Sequence, residues 1–121
     1  VIRLLPVVVG FALACSLAPT AALAQPECDE CCETLHACLD ACETIWNNCM
    51  DECEEVWLEC VNGCTPPGQP TPMWCRMKCQ WVYNDCAGHC EHDKQNCDEN
   101  CRIGVTGCLI VNGCPADYCD E

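Results

Sequence analysis

The feature that most limits what this chain can fold into is the spacing of its cysteines. Residues 38–64 read CLDACETIWNNCMDECEEVWLECVNGC, with cysteine returning after four residues, then seven, then four again. Successive units begin at Cys38, Cys49 and Cys60, a period of eleven, and Trp46 and Trp57 hold the same place in their units. Cys31 stands eleven residues before Cys42 and carries the register upstream. After the proline-rich break TPPGQPTPM the rhythm resumes as Cys75/Cys79, Cys86/Cys90 and Cys97/Cys101, then Cys108. On an α-helix each residue turns ~100°, so i+4 lands ~40° and i+11 only ~20° from the start. The cysteines therefore form one narrow stripe, and a repeat of ~3.67 residues per turn favours a gentle right-handed twist. On a strand the same spacing scatters them over both faces. The pattern predicts helices.

The punctuation divides the pattern into two of them. Pro26 suits a first turn with Glu27, Asp29 and Glu30 behind it, and Asn62-Gly63 reads as a stop. Thr71-Pro72 reads as cap and first position of a second helix, and Asn112-Gly113 repeats the stop signal. The expectation is helix one over about 26–63, a loop over 65–72, helix two over about 72–111 and a tail over 112–121. Gly104, Gly107 and the β-branched residues of 102–111 oppose a helix there; the regular position of Cys108 argues for one. Helices joined by so short a loop run antiparallel, so facing residues share one index sum. The pairs Cys64–Cys75, Cys60–Cys79, Cys53–Cys86, Cys49–Cys90, Cys42–Cys97, Cys38–Cys101 and Cys31–Cys108 all give 139. Bridged Cα atoms lie ~5.5–6 Å apart, which with helix radii of ~2.3 Å sets the axes ~10 Å apart, close to ordinary helix packing. Links from i to i+4 within one helix would be strained, because those Cβ vectors run side by side. Cys28, Cys32, Cys114 and Cys119 remain, expected to tie the tail to the start of helix one in an order that the spacing leaves open. The fold class is all-α: two long antiparallel helices forming a disulfide-laddered hairpin.

Residues 1–24 are expected to be a signal peptide. They carry one Arg, an apolar run over 4–14 and Ala22-Leu23-Ala24 before Gln25. Pro6, Gly10 and Pro19 interrupt the run and disfavour a membrane anchor. Lipid attachment at Cys15 is a lesser alternative, since Ala12 stands where lipoprotein signals usually carry Leu. Removing that stretch leaves 97 residues and 18 of the 19 cysteines, an even number. In an exported chain of this size, with few large apolar residues to bury, that composition reads as a disulfide framework. The same 97 residues hold nineteen acids against Arg76, Lys78, Lys94 and Arg102, a net charge of −15. Residues 25–64 hold eleven acids and no Lys or Arg. Nucleic acid and anionic membranes are therefore poor partners; a cationic partner or divalent cations fit better, and the plainer reading is a solvated acidic face that favours solubility.

Paired CX3C motifs on two antiparallel helices, joined outer to outer and inner to inner, resemble the plant α-hairpinin peptides. The arrangement is also similar to the twin-CX9C mitochondrial hairpins, although the spacing within a stripe here is CX10C. The resemblance covers residues 28–108 as a pattern; those families have two motifs, and this chain has about three and a half on each helix. It implies a cross-linked hairpin, carries over no catalytic residue, and suggests a defence or inhibitor peptide as a lesser alternative. Membrane-active α-hairpinins rely on basic residues, whereas this chain is strongly acidic. CX3C helices also resemble the bacterial copper-storage proteins, which implies thiolate binding of Cu(I), or of Zn, as the main alternative function. Three features oppose it: there is no twin-arginine signal, only two helices are available unless chains dimerise, and a metal cluster does not require the mirrored register. Zinc-ribbon and c-type haem motifs are absent.

No catalytic residue is expected, nor a cofactor or a bound metal. His36, His89 and His92 do not converge on one point, and a solid hairpin offers no cleft for a triad or paired acids. Trp46 and Trp57 fall ~40° from the nearest cysteine column and are expected to shield the seam. Trp74, Met77 and Trp81 point away from the cysteine stripe. They either pack under Pro66, Pro67, Pro70 and Pro72 or form a contact surface for a protein partner or a second copy. The expected protein is an exported structural or binding module (periplasmic, cell-envelope or extracellular), with no membrane contact after signal cleavage.

Overall fold

A computed structural model describes residues 25–120. The leader expected over 1–24, its cleavage site and Cys15 lie outside the described residues. Helix α1 spans Pro26–Cys64 and helix α2 spans Met73–Val111, 39 residues each, and a single 3₁₀ turn covers Tyr118–Asp120. At ~1.5 Å per residue each helix is ~58 Å long, so the hairpin is a rod. Pro26 occupies the first turn of α1, where a missing N–H costs nothing, and Glu27 and Asp29 face the positive end of the helix dipole.

Two boundaries differ from the sequence reading by a residue, each for a local reason. Helix α1 runs through Gly63 to Cys64, and Gly63 is not among the glycines with positive φ. Cys64 is cross-linked to Cys75 at a Cα separation of 5.9 Å, which keeps it on the helical stripe. Thr65 then breaks the helix in extended conformation, φ −148° and ψ 148°. At the start of α2 the cap position is Pro72 (φ −58°, ψ 140°), not Thr71. The Pro72 carbonyl accepts the N–H groups of Cys75 and Arg76 at 3.1 and 3.0 Å. A residue before proline is held out of helical geometry, and the Thr71 hydroxyl instead accepts a hydrogen bond from Thr65 Oγ1 at 3.5 Å, joining the two ends of the loop. Within the loop, Gln69 N–H bonds to the Pro66 carbonyl at 3.3 Å, with Pro67 and Gly68 at the turn centre. Gly68 has φ 89°, the conformation a type II turn demands of its third residue.

Residues 102–111 are helical despite their two glycines. The helix ends in a Schellman motif: Gly113 at φ 68° donates to Ile110, and Cys114 donates to Leu109 at 2.8 Å. That reversal sends the tail back over the first turns of α1, where Tyr118 Oη donates to Asp29 Oδ1 at 2.7 Å. Ten described residues are buried, and only Leu35 and Leu109 among them are not cysteine. The interior of the rod is a column of sulfur. No helix among the described residues is long and apolar enough to cross a membrane.

Candidate functional site: the sulfur seam and the surfaces beside it

All eighteen cysteines of residues 25–120 are cross-linked. Seven bridges join α1 to α2: Cys31–Cys108, Cys38–Cys101, Cys42–Cys97, Cys49–Cys90, Cys53–Cys86, Cys60–Cys79 and Cys64–Cys75. Their Cα separations, 5.6–5.9 Å, barely vary along the rod, so the helices keep one spacing from the loop to the open end. The tail is held by Cys28–Cys114 and Cys32–Cys119. The spacing leaves that order open, and the Schellman turn sets it by laying Cys114 beside Leu109 and the first turn of α1. Asn112 closes the open end: its amide donates to the Cys108 carbonyl at 2.9 Å and points at the sulfurs of Cys31 and Cys108 at 3.5 and 3.7 Å.

Adjacent rungs touch in couples. Cys42 and Cys101 sulfurs are 3.4 Å apart, as are those of Cys53 and Cys90, and Cys64 and Cys79 are 3.7 Å apart, although each sulfur is bonded elsewhere. Three sulfur clusters result, Cys38/Cys42/Cys101, Cys49/Cys53/Cys90 and Cys64/Cys75/Cys79, each with its sulfurs within 4.8 Å of one another. Soft metals bind thiolates, and a sulfur committed to a disulfide carries no thiolate charge. The oxidised seam therefore does not fit Cu(I) or Zn; only a reduced seam offers those ligands. His36, His89 and His92 are exposed, and His92 Nδ1 is engaged by Asn96 Nδ2 of its own helix at 3.3 Å.

Between couples the helices are spaced by larger side chains that repeat with the same period. Leu35, Trp46 and Trp57 follow one another at intervals of eleven on α1, as do Tyr83, Lys94 and Val105 on α2. Leu35 meets Val105, Trp46 lies under the Lys94 ammonium at 5.8 Å from its ring centroid, and Trp57 shares a groove with Tyr83. Both tryptophans are half-buried, and their indole Nε1 atoms are enclosed without a hydrogen-bond partner. The sequence reading placed the tryptophans beside the seam but missed the residues opposite them. The signal was present: each of these pairs adds to 140, one more than the cysteine register. Lys94 is further held by Asp98 at 3.2 Å and Glu43 at 3.4 Å. The hydrogen bond to Asp98 is the main reason its ammonium is held above the usual lysine pKa; desolvation opposes it, and the charges of Asp98 and Glu43 add to it.

Trp74, Met77 and Trp81 form an exposed stripe on the back of α2, with Lys78 beside them, around a shallow hollow of about 290 Å³. Trp74 is 68% and Trp81 73% exposed, so the loop prolines do not cover them. Residues 65–84 carry Arg76 and Lys78 and no acid, which makes the loop end of α2 a basic, apolar patch on an acidic rod.

The fold and seam define a disulfide-laddered helical hairpin. The chain matches no protein-family model, no curated protein and no solved structure at a significant level.

Proposed function

We propose that this chain is an exported, disulfide-stabilised structural or protein-binding module that works by rigidity and contact rather than by catalysis. One observation carries the reading: every described cysteine is used in a cross-link, so the sulfur chemistry is spent on holding two helices at constant separation. Such bridges persist in oxidising compartments, in keeping with the leader expected over 1–24. The contact surface is Trp74, Met77 and Trp81, large apolar side chains that a monomer gains nothing by exposing.

Intact mass before and after reduction tests the cross-linking. The module reading expects a gain of two hydrogens per bridge and no alkylation of residues 25–120 before reduction. Trp74→Ala and Trp81→Ala test the surface: partner capture or oligomer size should change with thermal stability preserved. If neither changes, the stripe is not a contact surface.

The three sulfur clusters favour a second reading, thiol-based binding of Cu(I) or Zn by the reduced chain. It expects most cysteines of the protein purified from its native compartment to be free or metal-bound, and that result would displace the first reading.

A further inference from the structure

The eleven-residue repeat places two chemically similar sites side by side, and only one of them is filled. Around Trp46 the site holds the Lys94 ammonium over the indole ring, paired with Glu43. One period nearer the loop, Trp57 replaces Trp46, Glu54 replaces Glu43 and Tyr83 replaces Lys94. There the structure has a groove of about 270 Å³ lined by Glu54, Trp57, Gln80 and Tyr83. Among the described residues no Lys or Arg is paired with Glu54.

We infer that this groove binds the primary ammonium of a lysine side chain on a basic protein partner. The molecule itself supplies the precedent, since the same Trp and Glu positions accept an ammonium one repeat away. The chemistry matches as well. An aromatic face attracts a cation through its quadrupole, Trp most strongly, and Tyr83 adds a second ring here. The carboxylate of Glu54 supplies the opposite charge. Beyond Glu54, α1 carries ten further acids and no base, a field that draws cationic partners toward this side of the rod. One difference limits affinity: Ala87 stands where the filled site has Asp98, so the groove offers one carboxylate rather than two. A single lysine therefore binds weakly, and a basic partner gains from further contacts along the acidic helix. This goes beyond the module reading and rests on other residues than the Trp74 stripe, so either can fail alone.

The test titrates the oxidised protein at pH 7 with Nα-acetyl-lysine methylamide, and with the norleucine analogue at matched ionic strength, following indole N–H resonances by NMR. The expected result is a saturable shift at Trp57 with the lysine probe only. Glu54→Gln, which alters an exposed side chain, should weaken binding at least threefold. Tyr83→Lys should abolish it by placing an ammonium in the groove from the chain itself. Lys94→Ala should do the opposite and open a second lysine-selective site, reported at Trp46. Equal shifts with norleucine, no shift at Trp57, or undiminished binding in Glu54→Gln would overturn the inference. So would a Lys94→Ala protein, with helicity and nine bridges intact, whose Trp46 fails to respond.

Discussion

The sulfurs of Cys42 and Cys101 touch at 3.4 Å, although Cys42 is bonded to Cys97 and Cys101 to Cys38. A thiolate placed so close to a disulfide sulfur can exchange with it. Cys97→Ala leaves Cys42 as such a thiol: it bonds to Cys101 and releases Cys38 as the new thiol. Peptide mapping of Cys97→Ala should find Cys101 paired partly with Cys38 and partly with Cys42. Pairing with Cys38 alone, after equilibration at mildly alkaline pH, would show that contact in the seam does not permit exchange.

Because eight of the ten buried residues are cysteine, the fold depends on the ladder as a whole more than on any rung. Deleting the middle rung with Cys49→Ala/Cys90→Ala only merges two small rings closed by the neighbouring bridges. The expected cost is about 2 kcal/mol, less than the ~4 kcal/mol of a lone bridge closing the same loop. Full reduction by a phosphine is different, since the acids of α1 then repel one another with almost no apolar core to oppose them. Far-UV circular dichroism should show helicity retained in the double variant and largely lost on reduction without denaturant.

Gly107 and Gly113 make opposite predictions from one residue type. Gly107 lies in the interior of α2, and a Cβ added there meets nothing within 4 Å. Gly107→Ala should therefore raise stability by about 0.5–1 kcal/mol, because alanine loses less backbone entropy in a helix. Gly113 sits at φ 68° and makes the Schellman reversal that brings Cys114 to Cys28. Gly113→Ala should lower stability by about 1 kcal/mol or more. Thermal denaturation of the two variants beside the parent checks both signs.

These residues also mark what the sequence makes legible. A cross-link between antiparallel helices forces facing cysteines to a constant index sum, and Cys64 and Cys75, nearest the loop, start that sum. The register is therefore written in spacing alone. Cys114 and Cys119 lie beyond a chain reversal, so their order depends on the direction of the tail after Gly113, which spacing does not encode. The helix ends beside the loop moved by a residue because Cys64 is tied to Cys75 and the Thr71 hydroxyl to Thr65, contacts across the loop rather than along it. The groove at Trp57 needed a comparison between repeats: Tyr83 looks unremarkable until Lys94 is seen in the same place over Trp46.

Lys94 gives the remaining prediction, on pH. Its pKa is raised above the ordinary 10.5, chiefly by the hydrogen bond to Asp98, and Glu43 contributes from α1. A lysine whose folded pKa is raised stabilises the fold below its unfolded pKa, and that contribution disappears as pH rises through the folded value. Lys94→Met keeps most of the stem over Trp46 and removes the charge. Below pH 10 in low salt the variant should melt at a lower temperature than the parent. The gap should narrow as pH climbs above 10.5, and also at neutral pH when salt screens the pairs with Asp98 and Glu43. Melting curves over a pH series and a salt series measure both. A gap that ignored pH and salt alike would assign the role of Lys94 to the packing of its stem on the indole rather than to its charge.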